Sequence, residues 1–79
     1  MVRVTMLGRL ADIAGWRIRV VEAETIGALR SALAADAPEL ARELDADTVV
    51  MIVNDVVTRG DAPIRPDDEV GFMPPMSGG

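Results

Sequence analysis

The sequence predicts a single α+β domain, in which one main helix crosses one face of a mixed β-sheet. Two segments near the N-terminus alternate between apolar and polar residues, as half-buried strands do. A segment with apolar residues at helical spacing follows them. A continuous apolar run, a short predicted strand and a last alternating segment complete the predicted order of elements. Seventy-nine residues are enough for one small core and leave no room for a second domain.

The N-terminal strand is predicted at residues 2–7, where apolar and polar residues alternate. Three of its side chains should face the core, namely Val2, Val4 and Met6. Gly8 ends the strand. The helical spacing of Leu10 and Ile13 predicts a short extra helix before Gly15, which is suited to the turn into the next strand.

A second strand is predicted at residues 16–21, paired antiparallel with the first. Its apolar side chains alternate with two arginines, so they should share one face: Trp16, Ile18 and Val20. Arg17 and Arg19 then share the other face. With Arg3 they are candidates for a basic stripe that receives an acidic partner, although a solvated sheet face is the favoured interpretation.

The main helix is predicted from Ile26 to Ala35, with Thr25 as the N-cap because its hydroxyl can accept a hydrogen bond from the first turn. Its apolar residues recur at spacings of three and four: Ile26, Leu29 and Leu33. Pro38 suits the first turn of a short second helix that ends at Leu44. The region after the first two strands is therefore helical.

The apolar run at residues 49–53 predicts a strand that is buried on both faces. Asn54 and Asp55 predict a tight turn into a short strand at residues 56–58. Ile64 is expected to pack into the core from a loop. The last strand is predicted at residues 69–73. Val70 and Phe72 should face inward along it. With the first and last strands parallel neighbours, this order describes the β-grasp, or ubiquitin-like, fold.

The ionisable residues exclude most kinds of catalysis. The chain has no cysteine, histidine, tyrosine or lysine, and all eight cations are arginines against thirteen carboxylates, for a net charge of −5. General acid–base chemistry, an activated nucleophile and a zinc site therefore lack their usual side chains. An acidic chain is also a poor binder of nucleic acid. We expect a cytoplasmic protein with no metal, no membrane partner and no catalytic activity of its own.

The C-terminal residues are the remaining candidate for chemistry. We expect a domain at residues 1–73 and a flexible tail at residues 74–79, because two adjacent prolines cannot continue a central strand. Six extended residues span roughly 20 Å, enough to enter a pocket of another protein. Gly78 and Gly79 lack Cβ atoms and fit a narrow channel. The reactive group would be the carboxylate of Gly79.

Residues 69–79, Glu-Val-Gly-Phe-Met-Pro-Pro-Met-Ser-Gly-Gly, resemble the end of the small subunit of molybdopterin synthase, one of the MoaD/ThiS-type ubiquitin-like sulfur carriers. The first strand and Val53-Asn54-Asp55 are similar as well. The resemblance implies that Gly79 carries an adenylate and then a thiocarboxylate, and that Gly78 allows its passage. It also implies partner contacts along the end of the chain, at Phe72, Met73, Pro74, Pro75, Met76, Ser77 and Gly78.

The same resemblance implies the partners. An adenylating enzyme related to ubiquitin activators uses ATP to activate the last glycine, and a cysteine desulfurase or rhodanese-type donor supplies sulfur. The large synthase subunit then accepts the tail, and sulfur passes to a pyranopterin precursor of the molybdenum cofactor. No permanently bound cofactor is implied. The family suggests a heterotetramer of two small and two large subunits.

Three alternatives stay open at the level of the sequence. The chain could carry sulfur for another pathway, such as thiamine, cysteine or tRNA thiolation. It could be a ubiquitin-like modifier joined through Gly79 to lysines of target proteins, although it has no lysine on which to build chains of itself. It could also be an interaction domain with an inert tail.

Overall fold

The computed structural model describes residues 1–45 and 49–74. In chain order the elements are β1 (Val2–Met6), α1 (Arg9–Ala14), β2 (Ile18–Val21), α2 (Ile26–Asp36), α3 (Pro38–Leu44), β3 (Val50–Val53), β4 (Val56–Thr58) and β5 (Glu69–Met73). Each predicted element is present. The largest difference in bounds is at β2, which begins at Ile18 rather than at residue 16. No helix within the two described ranges is long and apolar enough to cross a membrane.

The described strands form one mixed sheet in the order β2-β1-β5-β3-β4. The first and last strands, β1 and β5, are parallel neighbours, with Val4 opposite Val70 and Met6 opposite Phe72. The other three strand pairs are antiparallel. The predicted β-grasp arrangement is therefore confirmed. The turn between β3 and β4 has positive φ at both Asn54 and Asp55, as predicted.

The core lies between one face of the sheet and the helices. Its strand residues are those predicted to point inward, and its helix residues are those at the predicted spacing. The fully buried members include Val2, Val4, Met6, Leu10, Leu29, Val70 and Phe72. Ile64 is 7% exposed and packs into the core from its loop, as predicted. The Thr25 hydroxyl accepts a hydrogen bond from the backbone N–H of Ala28 at 3.0 Å, which confirms the N-cap of α2.

The candidate basic stripe of Arg3, Arg17 and Arg19 does not form on one face of the sheet, and neither does the favoured alternative of one solvated face for all three. In the register of β1 and β2, Arg3 lies opposite Val20, and Val4 lies opposite Arg19. Residues opposite each other share a face, so Arg3 and Arg19 lie on opposite faces of the sheet. Arg19 is instead held beside the helices by an ion pair with Asp36 and by the Trp16 ring, whose centroid is 4.8 Å from the guanidinium carbon.

The prediction that β3 is buried on both faces is also wrong. Met51 is buried on the helix side of the strand, whereas Val50 and Ile52 are half-buried on the other side. The physical reason is that the helices cover only one face of the sheet. Nothing among the described residues forms a second layer over the other face.

Candidate functional site

The candidate site begins where β5 ends, because residues 74–79, which the sequence predicts to be a tail, follow this strand. β5 is a central strand, paired with β1 on one side and with β3 on the other. Phe72 is 0% exposed and belongs to the core, as its inward position predicts. The Leu7 N–H donates a hydrogen bond to the Phe72 carbonyl at 3.0 Å. The root of the tail is therefore fixed to the domain by both packing and the sheet ladder.

The burial of Phe72 changes its expected role. A side chain with no exposed surface cannot line a partner contact. Phe72 instead supports the following residues from within the domain. Of the residues implied to contact a partner, Met73 and Pro74 are half-buried and keep part of their surface. The remaining implied contacts, Pro75, Met76, Ser77 and Gly78, and the implied carrier residue Gly79, lie outside the described residues.

Pro74 lies against Gly8, at the turn between β1 and α1. A Cβ atom added to Gly8 would come within 3.0 Å of the Pro74 Cγ atom and 3.5 Å of its Cδ atom. Gly8 also has φ 57° and ψ −138°, a conformation that residues with a side chain rarely adopt. Glycine at this turn thus leaves room for the proline ring. The chain leaves β5 over the β1–α1 turn.

A polar network holds the other end of β5. The backbone N–H of Arg65 donates to Asp68 Oδ2 at 2.8 Å, and Asn54 Nδ2 donates to Asp68 Oδ1 at 2.9 Å. The Glu69 N–H donates to Asn54 Oδ1 at 2.9 Å. The hydrogen bonds from Arg65 and Asn54 lower the pKa of Asp68. The network joins the β3–β4 turn to the start of β5, so the strand is anchored at both ends.

The described part of the site contains no arrangement of side chains that is suited to catalysis. The side chains of Phe72, Met73 and Pro74 are apolar, and Asn54 and Asp68 at the other end of β5 are engaged in their own hydrogen-bond network. The geometry can present a chain end from a rigid strand.

Sequence reasoning missed two features. The first is Gly8: the sequence indicates only that a strand ends there, because the contact with Pro74 joins residues 66 positions apart. The second is the exposure of apolar side chains on the uncovered face of the sheet. The signal for that face was present in the sequence, since the run at residues 49–53 is more apolar than a half-covered strand requires.

The structure is similar to two solved ubiquitin-like proteins. Small archaeal modifier protein 1 from Haloferax volcanii superposes with a TM-score of 0.85 at 25% identity, over 99% of this chain and 98% of that one. Small archaeal modifier protein 1 from Methanosarcina acetivorans gives 0.85 at 21% identity, over 99% and 95% of the two chains. The fold defines a small ubiquitin-like β-grasp protein.

The sequence comparisons identify a family within this class of proteins. The profile of the ThiS family matches residues 4–79. The molybdopterin synthase sulfur carrier subunit of Escherichia coli strain K12 is 31% identical over 81 aligned positions, which cover all of this chain and all of that protein. The chain belongs to the ThiS family.

Proposed function

We propose that this protein is a sulfur carrier that serves as the small subunit of molybdopterin synthase. The observation that carries the proposal is the full-length likeness to the Escherichia coli sulfur carrier subunit. The rigid root of the tail supports it, because a carrier must present its last residue while the domain stays folded. The protein itself is not a catalyst in this proposal, and the chemistry belongs to its partners.

The proposed chemistry takes place on the carboxylate of Gly79. An adenylating enzyme joins this carboxylate to the α-phosphate of ATP, which gives an acyl-adenylate and releases pyrophosphate. A hydrosulfide equivalent from the sulfur donor then attacks the acyl carbon, AMP leaves, and a thiocarboxylate remains. In the active site of the large subunit the sulfur passes to the pyranopterin precursor. Water restores the carboxylate. Because the cycle consumes ATP, we assign it to the cytoplasm.

The residues proposed to act at the tail have four different roles. Gly79 carries the adenylate and the thiocarboxylate, and Gly78 gives the backbone a path through a narrow channel. The residues from Met73 to Ser77 contact the partner. Phe72 holds the root of the tail from within the core, where it is 0% exposed.

The test is the mass of the intact chain after incubation with ATP, an adenylating enzyme and a sulfur donor. A shift equal to the replacement of one oxygen by sulfur supports the carrier. The thiocarboxylate form should then yield dithiolene product with the large subunit. An unchanged mass with active partner enzymes would overturn the proposal.

A second candidate function is suggested by the two modifier proteins that share the fold. A modifier would form amide bonds between Gly79 and lysines of other proteins. The same incubation, supplemented with cell lysate, separates the two functions. Conjugates of higher mass linked through lysine would favour the modifier, whereas a free thiocarboxylate favours the carrier.

Removal of Gly79 provides a specific prediction. The shortened chain should melt within about 1 °C of the unaltered chain, since a chain end without core contacts adds little stability. It should gain no sulfur. Melting curves and intact masses of the two forms check this. A large loss of thermal stability would contradict the assignment of residues 74–79 to a tail.

A further inference from the structure

Arg30 places a cation at the edge of the core. It follows Ile26 by four positions and precedes Leu33 by three, so it lies on the same side of α2 as these two buried residues. Arg30 itself is half-buried, as is common for a long side chain that packs its methylene groups against apolar neighbours. Packing does not require a cation at this position, because an apolar side chain would fill it without removing charge from water.

One donor of this guanidinium group has no acceptor. Arg30 Nε is shielded from solvent and donates no hydrogen bond to any residue in the ranges 1–45 and 49–74. Arg30 also takes part in none of the ion pairs that the structure describes in these ranges. A buried donor without an acceptor destabilises a fold, and more so when it belongs to a charged group. Such a group is rare in native proteins and indicates a specific role.

Arg30 borders a cavity of about 200 Å³ on the helix side of β3 and β4. Leu44 and Met51, both buried, form part of its lining, and Arg59 lines it from the loop after β4. Gly60 follows with φ 76°, and a Cβ atom added there would meet nothing within 4 Å. The loop therefore leaves this side of the cavity open to a ligand.

The charge around this cavity differs from the charge of the whole chain. Among the described residues, two arginines line it against one carboxylate, Asp45, which is exposed and forms an ion pair with neither of them. The whole chain has a net charge of −5 and therefore repels anions at long range. An anion in the cavity must be held by short contacts, and two guanidinium groups supply charge-assisted hydrogen bonds of that kind.

The size and the donors of the cavity define the class of ligand. A volume of about 200 Å³ is below the roughly 300–1,000 Å³ of pockets that enclose drug-sized molecules, so the occupant is small or is the end of a larger molecule. The planar fork of arginine binds pairs of carboxylate or phosphate oxygens. A phosphate group has the larger number of acceptor oxygens and a charge of about −1.5 to −2 near neutral pH, so it suits two guanidinium groups at once.

We propose that the cavity lined by Arg30 and Arg59 binds a phosphate group, as inorganic phosphate or as the end of a small phosphate monoester. Arg30 donates from Nε and a terminal nitrogen to two oxygens, and Arg59 donates to a third. The guanidinium of Arg30 turns toward the cavity when the ligand enters, because Nε is closed to solvent in the free chain. The site takes no part in the chemistry at Gly79 and does not depend on the proposed function.

Nuclear magnetic resonance of the full chain labelled with ¹⁵N tests the site directly, because the Nε–H group of Arg30 has its own signal. Sodium phosphate and glycerol 3-phosphate are titrated separately near neutral pH, with chloride keeping the ionic strength constant. The Arg30 Nε–H signal should shift and saturate. Tighter binding of inorganic phosphate assigns the free anion, whereas equal or tighter binding of glycerol 3-phosphate assigns the monoester. If neither probe shifts this signal, the proposal is wrong.

Three variants that each remove one positive charge provide the matched comparison. R30Q and R59Q should weaken phosphate binding at least about tenfold, as followed by the backbone N–H signals of Thr58 and Gly60. Arg42 is exposed on α3 and lines a different depression, so R42Q should stay within about twofold of the unaltered chain. Equal affinities of the three variants would show only non-specific attraction and would overturn the proposal. Arg59 is exposed, so R59Q keeps the core intact and does not depend on how well R30Q folds.

R30K separates the fork from the charge. Lysine keeps the positive charge but lacks the Nε donor and the planar geometry. R30K should therefore bind phosphate at least about threefold more weakly than the unaltered chain. An R30K chain that binds phosphate as tightly as the unaltered chain would contradict the contact assigned to Nε.

Discussion

At the scale of single residues, Asp68 is the polar side chain with the clearest structural role. It accepts hydrogen bonds from the Arg65 backbone and from the Asn54 side chain, and both stabilise its charged form. Asn54 in turn accepts a bond from the Glu69 backbone at the start of β5. The β3–β4 turn and the segment at residues 65–69 therefore meet at the Asp68 carboxylate.

The pH dependence of stability should reflect this carboxylate. The hydrogen bonds hold the pKa of folded Asp68 below its ordinary value of 3.8, so the unfolded chain binds the proton more readily. The stabilisation is therefore complete above the ordinary pKa and is lost as the pH falls below it toward the folded pKa. D68N should lower Tm at pH 7, and the difference from the unaltered chain should shrink below pH 3.8.

Asp67 provides the matched control for that experiment. It is the neighbouring exposed carboxylate, and no side-chain hydrogen bond to it is present among the residues that the structure describes. D67N should leave Tm at pH 7 nearly unchanged. Equal melting curves for D68N and D67N across the pH range would contradict the role of the network.

At the scale of elements, α2 depends on its first turn. Thr25 caps the helix through its hydroxyl, with an extended backbone at φ −140° and ψ 160°. The helix supplies Ile26, Leu29 and Leu33 to the core. Its amino end is also held by the Asp61 carboxylate, which accepts a hydrogen bond from the Gly27 N–H at 2.7 Å. The local sequence and a distant loop both fix where this helix begins.

T25A should reduce the free energy of unfolding by about 1 kcal/mol, because one N–H group of the first turn loses its partner. T25S keeps the hydroxyl and should recover most of that loss. Urea unfolding of the three forms measures the effect. If T25A and T25S are equally destabilised, the methyl group and not the cap explains the contribution of Thr25.

The two faces of β3 differ in burial, and the sequence of this strand alone does not predict that difference. Its apolar run correctly predicts a strand, and Met51 is buried as expected. Val50 and Ile52 belong to the face that no helix covers. A run of apolar residues in a strand does not show which of its faces the rest of the chain covers.

At the scale of the whole molecule, a small core determines stability and supports the tail. Phe72 is fully buried, and Pro74 follows it by two residues in the chain. Small domains are stable by only about 5–15 kcal/mol, so the loss of one large core side chain is a large fraction of the total. Loss of this side chain therefore affects both folding and the support of the following residues, Met73 and Pro74.

F72A should reduce the free energy of unfolding by about 3–5 kcal/mol, since it creates a cavity beneath the root of the tail. V57A removes part of an exposed side chain of β4 and should change the free energy of unfolding by less than about 0.5 kcal/mol. Urea unfolding followed by circular dichroism compares the two. A loss below about 1 kcal/mol for F72A would contradict its position in the core.

The sequence by itself determined the order of the elements, their approximate bounds and the inward residues of β1, α2 and β5. These follow from periodicity, caps and turn residues, which are local properties. The family was also evident from the last eleven residues. The tertiary structure alone decided that Arg3 and Arg19 lie on opposite faces, that Pro74 rests on Gly8, and that one face of the sheet stays open. Each depends on strand register or on layers packed from distant segments, which no local pattern contains.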